Sequence, residues 1–157
     1  MTRKFDPEAL GFLLTDVARL LRAELDRRIT DAGLGLTPAE ARTLVHASRA
    51  ESSRQSMLAE RMGVEAMTLS SYLDRLEARG LLRREPDPSD RRAKLVTITA
   101  EAEPVLEEIM RISAELRDDV SGSLTPAQVD ELRDGLKRIR RDLLVMRPEC
   151  NKGNTPA

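Results

Sequence analysis

Residues 73–99, with the sequence LDRLEARGLLRREPDPSDRRAKLVTIT, decide the fold because a helix end, a strand, a turn and a second strand follow one another directly. Gly80 is a typical helix terminator. Residues 81–85 are typical of a strand, and residues 86–90 are dense in turn formers. Residues 94–99 are rich in β-branched side chains and alternate in polarity from Val96 onward, as a second strand requires. The stretch therefore predicts a β-hairpin, or wing, immediately after a helix.

Two short predicted helices lead into this wing. The first spans residues 54–62 and follows Ser53 as its N-cap, and the second spans residues 66–79. A tight turn at Gly63 joins them, which is typical of a helix-turn-helix, although an unrelated helical hairpin shows the same pattern. The residues predicted to point inward are Met57, Leu58, Met62, Leu69, Leu73 and Leu76. With the wing, the pair predicts a mainly α fold with a small β element: a winged helix-turn-helix.

Longer helices flank the winged unit. The first covers residues 7–32, and the second covers residues 38–48 and begins at a capping box of Thr37 and Glu40. The remaining predictions are a polar connection at 49–53, a helix over 100–121 capped by Thr99, a last helix that begins after Thr125 with Gln128 completing its cap, and a disordered tail over 148–157.

The first and last helices carry apolar stripes that the winged unit does not need. An exposed stripe is unfavourable by roughly 25 cal/mol per Å², so packing against each other and against a second chain predicts a homodimer. The alternative is an ordinary bundle within one chain. The predicted dimerisation residues are Leu10, Leu14, Val17, Leu21, Leu132, Leu136, Ile139 and Leu143. Residues 1–36 and 122–147 are thus assigned to dimerisation, 37–99 to the winged helix-turn-helix domain and 100–121 to a connecting helix.

Composition limits the class of protein. Hydrophobic residues make up 40% of the 157 residues but aromatic residues only 2%, so the core must be aliphatic. No apolar run reaches the 18 residues of a membrane span, and the N-terminus lacks the apolar stretch of a signal peptide. The single cysteine, Cys150, excludes a disulfide framework. These features favour the cytoplasm. The charge distribution, +2 over residues 49–94 and −7 over residues 99–134, indicates DNA only weakly.

Three motifs resemble the MarR family of bacterial transcription regulators. The segment LAERMGV at 58–64 resembles the family's first motif helix and its turn, and LDRLEARGL at 73–81 resembles the end of its recognition helix. The segments DPSDRRAK at 87–94 and VTIT at 96–99 resemble its wing, which is the most specific of the three matches. The helix order agrees from about residue 7 to 147. The resemblance implies a homodimer, triangular in outline, with the chain termini in the dimer region.

The resemblance also implies how the chain binds double-stranded DNA. The N-terminal half of the recognition helix would lie in the major groove, and half-sites one helical turn apart would form a pseudo-palindrome. Arg92 would enter the minor groove, held by a hydrogen bond from its guanidinium to Asp90. The full set of predicted DNA contacts is Arg54, Met67, Thr68, Ser70, Ser71, Arg75, Asp90, Arg91, Arg92 and Lys94. Among these, Arg54 on the third helix, Arg91 and Lys94 are assigned to phosphates. Many family members have arginine where this chain has Ser71.

The family resemblance further implies a repressor that a small phenolic or aromatic acid releases from DNA. His46 and Tyr72 are the candidate ligand contacts, although an ordinary interdomain histidine is the simpler interpretation of His46. Cys150 is interpreted as a bystander. One alternative class is a winged helix that binds a protein instead of DNA. An enzyme is the other, but one histidine, one cysteine and no phosphate-binding glycine loop supply no catalytic constellation, and no cofactor or metal is expected.

Overall fold

The computed structural model describes residue 6 and residues 8–146. In that part of the chain the fold is mainly helical with one small antiparallel sheet, as predicted. The helices are α1 Leu10–Asp31, α2 Pro38–Ala47, α3 Gln55–Met62, α4 Ala66–Ala78, α5 Glu103–Ser121 and α6 Pro126–Met146; a short 3-10 turn at Ala100–Ala102 precedes α5. The strands are β1 Ser53–Arg54, β2 Leu82–Asp87 and β3 Asp90–Ile98. The tail predicted at 148–157, with Cys150, lies outside the described residues.

The sheet confirms the wing and adds a strand that the sequence analysis missed. Its order is β1-β3-β2, with both pairings antiparallel. Ser53 pairs with Val96 and is buried, so the predicted N-cap role of Ser53 is wrong. The cap position of α3 belongs to Arg54, which makes no side-chain capping bond. The connection predicted at 49–53 therefore ends in a strand that anchors the wing to α3.

The predicted capping boxes are both present. The Thr37 side chain accepts a hydrogen bond from the backbone of Glu40, and the Glu40 carboxylate accepts one from the backbone of Thr37. Thr125 and Gln128 exchange the same two bonds at the start of α6. Such reciprocal bonds satisfy donors that a helix start leaves unpaired. They explain why these two helices begin where the sequence predicts.

Thr99 departs from its predicted role as a helix cap. Its side chain makes no capping bond to the 3-10 turn that follows. Its hydroxyl donates to the carbonyl of Gly80 at 2.5 Å, and its backbone N–H donates to the carbonyl of Leu81 at 3.2 Å. Thr99 therefore closes the open end of the hairpin against the C-terminus of α4, which fixes where the wing leaves the helix.

The winged unit has an aliphatic core. Leu69, Leu73 and Leu76 of α4 are fully buried, as predicted, and each contributes on the order of 2 kcal/mol by leaving water. They share the core with Ile29, Leu44, Leu58, Leu82 and Val96. Met57 is 46% exposed, so its predicted inward orientation is wrong. Its neighbours on α3, Leu58 and Ala59, occupy the buried side instead.

The chain divides into two compact units, residues 1–116 and 117–157. The first holds the winged helix-turn-helix together with α1, α2 and most of α5. The second begins near the end of α5 and holds α6, which has no buried residue among those described. No helix in residues 8–146 combines the length and apolarity that crossing a membrane requires.

Candidate nucleic-acid interface

Helix α4 presents a polar side to solvent. Gly63 ends α3 in a left-handed conformation, with φ of 64°, and the chain then turns directly into α4. With its leucines committed to the core, the opposite side of α4 carries the residues predicted to read bases. Met67 is 83% exposed, Thr68 and Ser71 are exposed, and Ser70 is half-buried. This side of the helix is accessible to a DNA groove.

The wing stands beside the N-terminal ends of α3 and α4. A groove of about 430 Å³ lies between the wing and these helix ends. The recognition helix and the wing therefore face the same surface. Its lining residues are Gln55, Ser56, Ala66, Ser70, Arg84, Asp90, Arg92, Ala93 and Lys94. Arg91, Arg92 and Lys94 are exposed on β3. The predicted helix and wing contacts therefore share one face, on which the wing contributes cationic side chains.

Asp90 contacts Arg92 in a different way from the prediction. Its Oδ1 accepts a hydrogen bond from the backbone N–H of Arg92 at 3.1 Å, and the structure shows no bond from Asp90 to the guanidinium. A short acidic side chain commonly satisfies a backbone N–H two residues later. Asp90 therefore fixes the backbone at the wing tip and leaves the Arg92 side chain exposed.

Arg54 also departs from its prediction. It lies on β1 rather than on α3, and its guanidinium is bound to the wing. Its Nε donates to Oδ2 of Asp87 at 2.7 Å, and its Nη2 donates to Oγ of Ser89 at 3.0 Å. Hydrogen bonds from the side chain and backbone of Ser89, and then from Arg54, hold the pKa of the Asp87 carboxyl below its usual range. A guanidinium engaged in this way is poorly placed for the phosphate contact assigned to it.

A second arginine ties the wing to the recognition helix. The Arg84 guanidinium, on β2, donates to Oε2 of Glu77 through Nε at 3.0 Å, and to Oδ1 of Asp74 through Nη2 at 2.6 Å. The backbone N–H of Arg84 donates to Oε1 of Glu77 at 2.9 Å. The hydrogen bonds from Arg84 lower the pKa of Glu77. The wing and α4 are thus joined by a charged network that the sequence analysis missed.

Arg75 lies on the side of α4 that faces α2. Its Nη1 donates to Oε1 of Glu40 at 3.1 Å. The Arg75 side chain is 61% exposed, whereas that of Glu40 is 6% exposed. Further along α4, the Arg79 guanidinium donates to the carbonyls of Leu34 and Gly35. The recognition helix is therefore tied to the α1–α2 junction at two points, of which the sequence analysis predicted neither.

The residues predicted for ligand binding lie outside the groove between α4 and the wing. His46 is on α2, and its Nδ1 is buried without a hydrogen-bond partner among the described residues. Burial, and then the nearby positive charges, lower the pKa of His46; these charges belong to Arg49, Arg61, Arg42 and Arg22. Tyr72 is half-buried on α4. In the part of the chain that the structure describes, no His, Cys, Asp and Glu cluster is arranged to hold a metal ion.

The residues predicted for dimerisation are exposed or half-buried in the single chain. On α1, Leu10 and Val17 are more than half exposed, while Leu14 and Leu21 are half-buried. On α6, the exposed members are Leu132, Leu136 and Leu143, and Ile139 is half-buried. Each helix therefore carries apolar surface available to a partner.

Comparison with known proteins agrees with this geometry. The sequence profile of the MarR family matches residues 36–94, which span α2 to the wing. A crystal structure of MarR is 26% identical, covers 93% of this chain and 96% of that chain, and has a TM-score of 0.77. Another transcriptional regulator is 36% identical, with coverages of 85% and 96% and a TM-score of 0.70. A cysteine-to-serine variant of MarR from E. coli, complexed with operator DNA, is 25% identical, with coverages of 84% and 94% and a TM-score of 0.68.

Proposed function

This chain belongs to the MarR family of DNA-binding transcriptional regulators, and we propose that it represses transcription as a homodimer bound to a pseudo-palindromic operator. The observation that carries the proposal is the shared face of α4 and the wing. Ser70 of the recognition helix and Arg92 and Lys94 of the wing line one groove. A duplex on this face would meet the helix in its major groove and the wing in the adjacent minor groove.

The roles within this face follow from side-chain chemistry. Hydroxyl groups donate or accept and so contact several bases with little discrimination, whereas a methionine packs against a thymine methyl. The proposed base contacts are Met67, Thr68, Ser70 and Ser71; Arg75, whose guanidinium is bound to Glu40, is left out of this set. Arg92 is proposed for the minor groove, where a narrow A·T stretch concentrates negative potential. Arg91 and Lys94 are proposed for phosphates, and Asp90 holds the backbone from which Arg92 extends.

Dimerisation supports reading of a two-fold operator. Two winged units related by a two-fold axis would match a pseudo-palindrome if their recognition helices lie about one helical turn apart. The exposed apolar residues of α1 and α6 supply surface for such an interface. We place the dimer in the cytoplasm, where an operator is accessible.

We also propose that a phenolic or aromatic acid weakens operator binding. Such a ligand acts only if it binds the DNA-competent and DNA-incompetent dimers with different affinities. Among the described residues, Nδ1 of His46 has no hydrogen-bond partner, and the positive charges of four nearby arginines favour an acidic ligand. A panel of aromatic acids, assayed by thermal shift and by operator release, tests this part of the proposal. An acid that releases wild-type protein but not His46→Gln would support it.

Selection from a random duplex pool tests the DNA-binding proposal. Wild-type protein and Arg92→Ala are run side by side at several salt concentrations, and the bound duplexes are sequenced. We expect a pseudo-palindrome with half-sites about one helical turn apart, and binding that weakens with salt and with Arg92→Ala. Weak binding without enrichment, insensitive to Arg92, would instead favour a winged helix that binds protein.

A further inference from the structure

The cap position of α3 is occupied by an arginine whose side chain serves another element. Helix starts favour Ser, Thr, Asp or Asn at this position because their oxygens accept backbone N–H bonds. Arg54 has no acceptor to offer, and its side chain makes no capping bond. Its side chain instead contacts Asp87 and Ser89, which lie 33 and 35 positions later in the sequence. The residue therefore contributes to the wing rather than to the helix that it precedes.

Arg54, Asp87 and Ser89 form a closed set of hydrogen bonds, here called the wing clamp. Oδ2 of Asp87 accepts from Arg54, while Oδ1 accepts from the backbone N–H of Ser89 at 2.8 Å and from its hydroxyl at 2.7 Å. The Ser89 hydroxyl in turn accepts from Arg54 at 3.0 Å. The Asp87 side chain is only 7% exposed, so its carboxylate is largely shielded from solvent and salt in the ion pair with Arg54.

The wing clamp is adjacent in the hairpin to the residues proposed to contact DNA. Asp87 is the last residue of β2 and pairs in register with Asp90, the first residue of β3. Asp90 then holds the backbone N–H of Arg92. Because β1 lies next to α3, Arg54 links the hairpin turn to the body of the winged unit. An otherwise exposed hairpin tip is thereby held at a defined position relative to α3.

We propose that Arg54 is a positioning residue that sets the placement of the wing tip, and with it Arg92, through Asp87 and Ser89. The inference rests on the proposed DNA-binding function and replaces the phosphate contact predicted for Arg54. A wing that is already held in place loses less conformational freedom when it binds. Arg54 therefore raises DNA affinity without touching the duplex.

Two variants distinguish a positioning role of Arg54 from a direct phosphate contact, because the two roles predict different changes in DNA affinity. Asp87→Asn removes the carboxylate that holds Arg54. If Arg54 contacted phosphate, this change would release a cation toward DNA and strengthen binding; if Arg54 positions the wing, binding weakens. Arg54→Lys retains the charge but cannot donate through two nitrogens in a fixed fork. A phosphate contact would tolerate this substitution, whereas the wing clamp would not.

The experiment measures affinity for the selected duplex at several salt concentrations, together with hydrogen exchange of the wing amides. We expect Arg54→Lys and Asp87→Asn each to weaken binding about tenfold, and the double variant to be no weaker than either. The slope of log affinity against log salt should be the same for Arg54→Lys and wild type. Lys94→Gln, at a proposed phosphate contact, should reduce that slope by about one.

Arg83→Gln is the matched control, since Arg83 is an exposed arginine of the same wing that pairs only with Glu85 among the described residues. Arg83→Gln should retain wild-type hydrogen exchange at the Ser89 and Arg92 amides. Both wing-clamp variants should accelerate hydrogen exchange at these two amides. Tighter binding by Asp87→Asn, or wild-type affinity and exchange for Arg54→Lys, would overturn the inference. If wild-type protein selects no duplex, the proposed function fails, and exchange alone decides whether Arg54 holds the wing.

Discussion

Arg75 of the recognition helix contacts Glu40 at the start of α2, and the same Glu40 carboxylate completes the capping box of α2. Oε1 of Glu40 accepts from the Arg75 guanidinium at 3.1 Å, and Oε2 accepts from the backbone N–H of Thr37 at 2.9 Å. Burial would raise the pKa of Glu40, but the hydrogen bonds from Thr37 and Arg75 outweigh it and lower the pKa. The charged form of Glu40 is therefore part of the folded structure.

Replacing Glu40 by glutamine separates these two roles. A glutamine completes a capping box equally well, as Gln128 does at the start of α6. We expect Glu40→Gln to preserve α2 but to lose its charge-assisted bond to Arg75, lowering the free energy of unfolding by about 1 kcal/mol. Urea denaturation of Glu40→Gln, Arg75→Gln and the double variant measures the coupling. Additive effects of the single changes would show that the pair contributes nothing jointly.

Breaking the link between the wing and α4 should destabilise the winged unit. The Arg84 side chain is only 12% exposed, and its removal takes the positive charge away from Glu77, which keeps the hydrogen bond from the backbone N–H of residue 84. We expect Arg84→Ala to lower the free energy of unfolding by about 2 kcal/mol at pH 7, whereas Arg83→Ala, at an exposed site, should change it by less than about 0.5 kcal/mol. Urea denaturation of both variants tests this, and equal effects would contradict it.

The same link predicts an acid dependence. The pKa of Glu77 in the folded protein is below its ordinary value of 4.5, so its contribution is fully present above that value and is lost as pH falls through the lowered one. The stability difference between wild type and Glu77→Gln should therefore shrink on acidification below pH 4.5. Denaturation curves collected from pH 7 downward measure it, and a difference that stays constant into strong acid would refute it.

His46 should make the protein less stable as pH falls through neutrality. Its pKa in the folded protein lies below the ordinary 6.5, because burial and then nearby arginines oppose a positive charge. As pH falls through 6.5, the unfolded chain binds a proton before the folded one, and unfolding is favoured. We expect His46→Gln to be less sensitive to pH from about 7.5 to 5.5. Chemical denaturation across this range tests it, and identical pH profiles would contradict it.

A charge on the exposed side of α1 should separate the proposed dimer. Val17 is 52% exposed in the single chain, so Val17→Lys should not disturb the monomer's core. An unpaired charge buried in an interface costs several kcal/mol, so we expect sedimentation to show monomers and circular dichroism to show unchanged helical content. Met57→Lys is the matched control, because Met57 is 46% exposed but lies on α3. A Val17→Lys protein that sediments like wild type would exclude this part of α1 from the interface.

Local patterns predicted the elements well, because each depends on residues close in sequence. The capping box at Thr37 needs a partner three residues later, and the wing needs only two strands around a short turn. β1 escaped prediction because a two-residue strand has no periodicity. Met57 was assigned to the wrong side because so short a helix offers few positions from which to fix a phase.

The contacts of the arginines at the site could not be predicted, because they depend on how distant elements fold together. Arg75 reaches Glu40 across 35 positions, and Arg54 reaches Asp87 across 33. A long flexible side chain has several acidic neighbours of equal plausibility in a sequence that is 34% charged. Asp90 shows the same difficulty at short range. Arg92 was correctly predicted as its partner, but the hydrogen bond comes from the backbone N–H of Arg92 and not from its guanidinium.

The network between Arg84, Asp74 and Glu77 limits how this protein can be redesigned. Replacing α4 alone with a foreign recognition helix would remove Asp74 and Glu77, both acidic partners of Arg84, and leave a largely buried cation unpaired in the wing. A transplanted wing would likewise lose the bond from Arg54 on β1. The segment from Ser53 to Thr99 carries all of these contacts together with the whole three-stranded sheet. Chimeras that exchange this segment as a whole should acquire the donor's operator preference, whereas exchange of α4 alone should yield unstable hybrids.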